Sequence, residues 1–349
     1  MSVILPIEAN EVAAVAIVRR RQSLRRNLVT ALLAILVIAA FATTLMAGKS
    51  FVGPLDVWQV LLGTDMGGLN FTVGQLRLPR AILSIVAGLS FGLGGVASQT
   101  LLRNPLASPD IIGISNSASA AAVVAIIVLG LEGSGVALFA VVASLAVALF
   151  IFLLSFRRGG FGARLILTGI GVSAICQSII YYVLSRAPVW DAAEATRWLA
   201  GSVNGAAWPQ ILPASIVLVV CGSVLFNRAN ALETMRLGED TAASLGVRVN
   251  LSRILILLSA VALIAFATAA AGPIAFVAFL SGPIATRLVG HSGSMLLPSA
   301  LTGALLVLVC DFAGQYLLGA RFPVGVVTGA LGAPYLIYLI VVSNRAEKS

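Results

Sequence analysis

The chain has 349 residues, is 59% hydrophobic and only 10% charged, and carries a net charge of +9; its mean hydropathy is +1.05. A water-soluble protein of this size could not cover its surface with so few polar side chains, which excludes a soluble enzyme or nucleic-acid binder. A bilayer-spanning helix needs about 20 apolar residues, and stretches of that kind recur along the chain.

Residues 1–27 read as a polar tail ending in RRRQSLRR (19–26). The first span is predicted at 28–48; its apolar run is too long for the core of a cleavable signal and lacks a small-residue cleavage site. The loop 49–76 contains PLDVWQVLLG, a short interfacial helix anchored by Trp58. Further spans are predicted at 80–101, 112–130, 135–156 and 165–185. The segment 186–209, with Trp190, Trp198 and Trp208, reads as a short helix at the same outer surface. A span at 210–227 leads into the polar segment 228–253. The apolar run 254–286 is too long for one helix and is split at Gly272-Pro273 into spans near 254–271 and 274–289. Spans at 296–318 and 325–343 follow, then a tail, 344–349. The reading is an all-α integral membrane protein of about ten transmembrane helices, forming one membrane domain over 28–343.

With ten spans and RRRQSLRR inside, 16 of the 22 basic residues fall inside, and six, Lys49, Arg77, Arg80, Arg186, Arg197 and Arg321, fall outside. That is the sense of the positive-inside rule, with both termini cytoplasmic; a cationic nucleic-acid tail is the alternative reading of the N-terminal cluster. Cys176, Cys221 and Cys310 all fall in predicted spans, as reduced thiols. With a single histidine, His291, no metal site is expected, nor any cofactor. Gly48-Lys49-Ser50 invites comparison with a phosphate-binding loop, but the glycine needed five positions before Gly48 is Thr43. The chain is not expected to be an enzyme, and ATP hydrolysis would belong to another polypeptide. Most of the 34 glycines read as helix-packing positions.

Four features stand out as polar in an apolar chain. The segment ALETMRLGEDTAASLGVRVN (231–250) reads as two short helices on the membrane surface, with an apolar stripe and a charged face. It suits contact with a soluble partner or with lipid headgroups. The span 165–185 carries Thr168, Ser173, Gln177 and Tyr181, whose spacings of five, four and four run roughly along one stripe. Such a stripe faces a cavity or hydrogen-bonds a neighbouring helix. Arg77 and Arg80, flanking Pro79, and Arg321, before Pro323, depart from the inside bias and serve either docking or snorkelling. Asp311 lies within a span, where carboxylates are functional candidates by default, though pairing with Gln315 or an outer arginine serves equally. As the one strong intramembrane acid, it gives little footing to an ion-driven transporter.

Seven segments, in this order, resemble the permease subunits of bacterial ABC importers for iron-siderophores, haem and cobalamin: RLPRAI (77–82), LLRNPLASPDIIGIS (101–115), RLILTGIGVSAIC (164–176), RWLAGSVNGAAW (197–208), RLGEDTAASLGV (236–247), AGPIAFVAFLSGPIATRL (271–288) and FPVGVVTGALGAPYLIYL (322–339). The wording is most similar to ferric-enterobactin permeases. The resemblance implies the type II ABC importer permease fold, a second permease subunit (the same or different), two cytoplasmic ABC ATPase subunits and an extracytoplasmic siderophore-binding protein. It places the ATPase contact on Gly238, Glu239, Asp240, Ala242, Leu245 and Gly246, and the pathway along the fifth span, hence Thr168, Ser173, Gln177 and Tyr181. It assigns binding-protein docking to outer arginines: Arg77, with Arg80 and Arg321 as further candidates. The family's second docking arginine would fall near 314–315, where this chain has Gly314-Gln315. The expected cargo is an iron(III)-siderophore of the catecholate type, with haem or cobalamin as alternatives.

Overall fold

The computed structural model describes residues 9–48, 50–105, 113–155, 161–290 and 293–346; much of the RNPLASPDIIG motif, His291 and Lys49 lie outside them. Every regular element among these residues is helical. Seven helices are long and apolar enough to cross a membrane, and three shorter apolar ones accompany them; together they fall on the predicted spans.

Helix α1 (Ala9–Met46) is longer than its predicted span. No glycine or proline interrupts residues 9–46, so the helix runs through the arginine cluster. At 1.5 Å per residue its 38 residues measure about 57 Å, well beyond a hydrocarbon core of about 30 Å. Helix α2 (Pro54–Leu61) is the short helix expected in the outer loop, and Trp58 on it is exposed. A π-helical turn, Asn70–Arg77, then feeds α3 (Leu78–Leu101). Next come α4 (Ile114–Ile127), α5 (Ser134–Ser155), α6 (Phe161–Ser185), the outer helix α7 (Val189–Leu199) and α8 (Trp208–Asn227). The polar segment folds as α9 (Ala229–Met235) and α10 (Glu239–Ser244). The chain ends with α11 (Val249–Ala271), α12 (Val277–Val289), α13 (Leu296–Tyr316) and α14 (Val324–Ala346).

Helix α3 is the hub, packed against α8, α9, α11, α12 and α13. Its glycines are what let the neighbours approach. A Cβ at Gly88 would strike the backbone of Gly303 and Ala304, one at Gly92 the Ser299 carbonyl, and one at Gly95 the Ala278 carbonyl. Within a membrane there is no hydrophobic drive between helices, so this backbone-to-backbone approach and its dispersion contacts hold them together. Phe91, Leu83 and Ile264 fill the adjoining core. By contrast α6 keeps one face open, with Leu167, Ile170, Ile175, Tyr181 and Tyr182 exposed, and α14 exposes Leu331, Ile337 and Tyr338.

Two of the predicted spans are shorter than a bilayer. Helices α4 and α12 have 14 and 13 residues, about 20 Å each. The approach to α12 is non-helical: Gly272 has φ +70 and Phe276 has φ +63. This irregular backbone is not turned to lipid. The Ser202 N–H donates to the Ala271 carbonyl (2.7 Å) and the Gly325 N–H to the Gly201 carbonyl (3.1 Å), tying the segment after α7 to the α11–α12 turn and to the start of α14. Interrupted helices are tolerated at membrane depth where protein satisfies their polar groups, as here.

Replacing Gly92 by leucine should separate α3 from α13. We expect a loss of roughly 1–3 kcal/mol or more, read as a lower melting temperature of the detergent-solubilised protein, whereas Gly68→Ala, where nothing lies within 4 Å and φ is not positive, should cost far less.

Candidate functional site: a polar knob and an arginine-bearing rim

The helices run alternately, so the molecule has two polar ends. One carries α9 and α10, the other α2 and α7. At the first end, α9 is fixed to the bundle by Leu232, which is buried in a cluster with Val96, Leu225 and Ile256 from α3, α8 and α11, and its Met235 is buried as well. Burying two such side chains stabilises by roughly 1.5–3 kcal/mol each. A turn through Leu237-Gly238 then starts α10; Gly238 takes φ +120 there, a conformation reserved largely for glycine. Helix α10 is held by the fully buried Ala242 and by an ion pair between Glu239 and the nearly buried Arg253 of α11. The rest of the segment faces outward: Asp240, Ala243 and Gly246 are exposed, as are Leu237 (68%) and Leu245 (64%). Six residues thought of together in the sequence thus divide into an anchoring set, Glu239 and Ala242, and a presented set, Asp240, Leu245 and Gly246, with Gly238 as the turn. The arrangement is a small rigid knob with apolar tips.

At the opposite end the outer arginines behave differently from one another. Arg77, only 8% exposed, donates from Nη1 to the carbonyls of Leu45 (2.8 Å) and Met46 (2.9 Å) and from Nη2 to that of Ser50 (2.9 Å). These carbonyls belong to the end of α1 and the turn after it, so Arg77 closes that turn over the π-helical segment. Arg80 makes a bidentate pair with Asp311 of α13, at 2.7 and 2.6 Å. Neither guanidinium is the free outer cation expected from the sequence: both are committed inside the subunit. Asp311 is 3% exposed and fully engaged by Arg80.

Arg321 is exposed. It lines a cavity of about 770 Å³ together with Glu194, Arg197, Asn204 and Gln210. Arg197 is the residue that sequence reasoning passed over here; 124 positions separate it from Arg321, and only the docking of the segment after α7 onto the turn before α14 unites them. No side chain fits at 314, because a Cβ on Gly314 would meet the Phe322 carbonyl, whose own N–H donates to the Gly314 carbonyl (2.9 Å).

The polar residues of α6 do not share one stripe. Five residues advance a helix by about 140° beyond a full turn, so Thr168 lies on the opposite flank from Ser173. The buried line of α6 is Leu165, Gly169, Cys176 and Ile180. Ser173 sits against Gly113, with its Oγ buried and without a hydrogen-bond partner among the described residues. Gln177 is half-buried and Tyr181 is 65% exposed. Ser173, Gln177 and Tyr181 therefore climb from the α4 contact to the open face, while Thr168 stands apart. Among the described residues no group of three or more His, Cys, Asp or Glu side chains could hold a metal ion.

Residues 34–342 match the model of the FecCD transport family. The chain is 37% identical over 328 residues to the ferric enterobactin transport system permease protein FepG of Escherichia coli, covering 93% of this chain and 98% of that one. It is 36% identical to the achromobactin transport system permease protein CbrC of Dickeya dadantii, over 88% and 89% of the two chains. A solved structure of a metal-chelate type ABC transporter, in an inward-facing conformation, superposes with a TM-score of 0.79 at 25% identity, covering 89% of this chain and 98% of its own.

The Arg80–Asp311 pair gives a direct test of the packing at the outer end. Removing one partner of a buried pair leaves the other charge uncompensated, at a cost of roughly 3–5 kcal/mol. Asp311→Ala and Arg80→Ala should each lower the melting temperature sharply, and the double replacement Arg80→Leu with Asp311→Leu should recover much of the loss. Equal destabilisation by the double variant would show that the pair does more than neutralise itself.

Proposed function

We propose, on the premise that this chain belongs to the FecCD transport family, that it is the membrane-spanning permease subunit of a bacterial ABC importer that carries an iron(III)-siderophore across the plasma membrane. The observation that carries the reading is the knob. A permease driven by a separate ATPase needs a rigid projection that transmits motion, and α10 is clamped by Ala242 and the Glu239–Arg253 pair while it presents Asp240, Leu245 and Gly246. A helix merely resting on headgroups would need no such clamp.

In this reading residues 28–343 act as one permease unit, the tails 1–27 and 344–349 are cytoplasmic, and the 228–253 segment seats in the ATPase. The open faces of α6 and α14 meet a second permease subunit, and the pathway runs between them past Ser173, Gln177 and Tyr181, with Thr168 nearer the subunit's own edge. A wide passage with scattered hydroxyl and amide groups suits a large chelate, which needs weak contacts it can leave. ATP binding and hydrolysis in the partner subunits shift the population between outward- and inward-open forms. The chain itself performs no covalent chemistry. Docking of the loaded binding protein falls on Arg321 and Arg197 at the outer cavity, while Arg77 and Arg80 shape that rim from within. Such exposed ion pairs act on orientation and on-rate more than on affinity.

The cargo is read as a catecholate chelate of the enterobactin kind; the matches to permeases for enterobactin and for achromobactin support an iron-chelate importer, with haem and cobalamin as the other candidates. The test is uptake of radioactive iron, as its catecholate complex, into proteoliposomes containing this chain, its partner permease and ATPase, with binding protein outside and ATP inside. Uptake should disappear with a catalytically dead ATPase. Uptake that follows an ion gradient instead would replace the reading with a secondary transporter. Asp240→Arg and Leu245→Arg should leave the melting temperature unchanged yet reduce ATP-driven uptake at least tenfold; undiminished uptake in both would remove the knob from the mechanism.

A further inference from the structure

At the α9–α10 end lies a second cavity, of about 480 Å³, between the end of α3, α12, the inner part of α14 and the α9–α10 link. Nothing in the transport reading uses it. Three arginines line it: Arg103 just after α3, Arg236 in the link and Arg287 in the last turn of α12. Among the described residues its lining includes no acidic side chain. The remainder of the wall combines hydrocarbon, from Val96, Pro283, Met295 and Leu339, with the polar side chains of Gln99, Thr100, Asn104 and Thr286.

Each arginine is held in its own way. Arg287 lies over the rings of Tyr338 and Tyr335, at 4.7 and 5.9 Å from their centroids, so an aromatic face, not a carboxylate, positions its charge. Its own backbone carbonyl and that of Leu288 accept from Arg25 of α1, which adds a further cation beside the same turn. Arg236 shares its charge with Glu233 at 2.9 Å. Arg103 has φ +49. A left-handed residue just past the C-cap is a common way to end a helix, and here it sets Arg103 at the mouth of the cavity.

We propose that this cavity binds the phosphate headgroup of an anionic phospholipid from the inner leaflet. A concave site with guanidinium groups and a hydrocarbon wall fits a molecule that carries both an anion and acyl chains, and basic pockets between transmembrane helices at the cytoplasmic face are places where such headgroups settle. Guanidinium groups hold phosphate oxygens through charge-assisted, often bidentate hydrogen bonds. A free phosphate ion would use the arginines but leave the hydrocarbon wall idle. Because Arg236 begins the turn into α10 and Arg287 closes α12, a bound lipid would tie the coupling knob to the core of the subunit. That consequence rests on the transport reading; the binding itself does not.

The test uses the full-length chain, purified in a neutral detergent and stripped of lipid. Dioctanoyl phosphatidylglycerol, dioctanoyl phosphatidylcholine and inorganic phosphate are titrated separately, and adducts are counted by native mass spectrometry. One saturable phosphatidylglycerol site is expected, with much weaker binding of phosphatidylcholine. Arg103→Gln and Arg287→Gln should each weaken it about tenfold, the effect of losing one charge-assisted contact, while Arg19→Gln, on the exposed stretch of α1, should change it less than twofold. Equal effects from all three would mean diffuse attraction and would overturn the site. Phosphate binding as tightly as phosphatidylglycerol would assign the cavity to a free anion. Normal lipid binding, with weakened ATPase association in the cavity variants, would assign it to carboxylates of the ATPase. If a variant fails to fold, a photoactivatable phosphatidylglycerol on the unaltered chain decides: label at Thr100–Asn104 or Thr286–Arg287 supports the proposal, and label confined to other helices rejects it.

Discussion

The arrangement depends on how closely other backbones can approach α3. Gly88, Gly92 and Gly95 remove the side chains that would hold α12 and α13 away. Lipid tails are as apolar as any leucine, so helices in a membrane gain little from hiding hydrocarbon from one another. They gain from contact density and from satisfied polar groups. Helix α3 supplies the first through glycine and the second through Arg80, which meets Asp311 on the same α13 that Gly88 and Gly92 touch. One helix pair is thus fixed in register twice, by shape near its middle and by charge near its outer end.

From that centre the two working ends are built by different means. The knob is held by the bundle through Leu232, Met235 and Ala242, and its Glu239 reaches Arg253 at the foot of α11, a helix packed along α3. The knob is therefore not a slack loop but is tied directly to the core. The outer rim is tied by backbone hydrogen bonds that join the non-helical stretch after α7 to the end of α11 and the start of α14. Glycine at 201 and 272, both at positive φ and in contact, makes their crossing possible. A dense core with a rigid inner projection and a hydrogen-bonded outer rim suits a machine that is pushed from one side and read from the other.

The open faces of α6 and α14 complete this picture. A helix exposing Leu167, Ile170 and Ile175 on one side has either lipid or another subunit against it. The climb of Ser173, Gln177 and Tyr181 from the α4 contact toward that face means that polar groups reach it, and lipid is a poor neighbour for them.

Composition and hydrophobic run length were enough to determine an all-helical membrane protein and the placing of its apolar segments, because each run must by itself satisfy its backbone and fill the bilayer. The short helices at Pro54–Leu61, Val189–Leu199 and around Gly238 were legible for the same local reason: polar or aromatic residues interrupt otherwise apolar sequence at turn-forming positions. What only the tertiary structure decided were the partnerships between distant residues. Arg80 and Asp311 stand 231 positions apart, and an arginine near a helix end looks the same in sequence whether it faces a partner protein or a carboxylate in its own core. Arg77 likewise turned inward, to carbonyls at the end of α1 and in the turn after it, and Arg197 of α7 came to line one cavity with Arg321 because the segment after α7 docks onto the start of α14. Thr168 fell away from its supposed companions by simple helical phase. Local periodicity fixes which residues lie in a helix; long-range geometry decides which of their charges remain free to work.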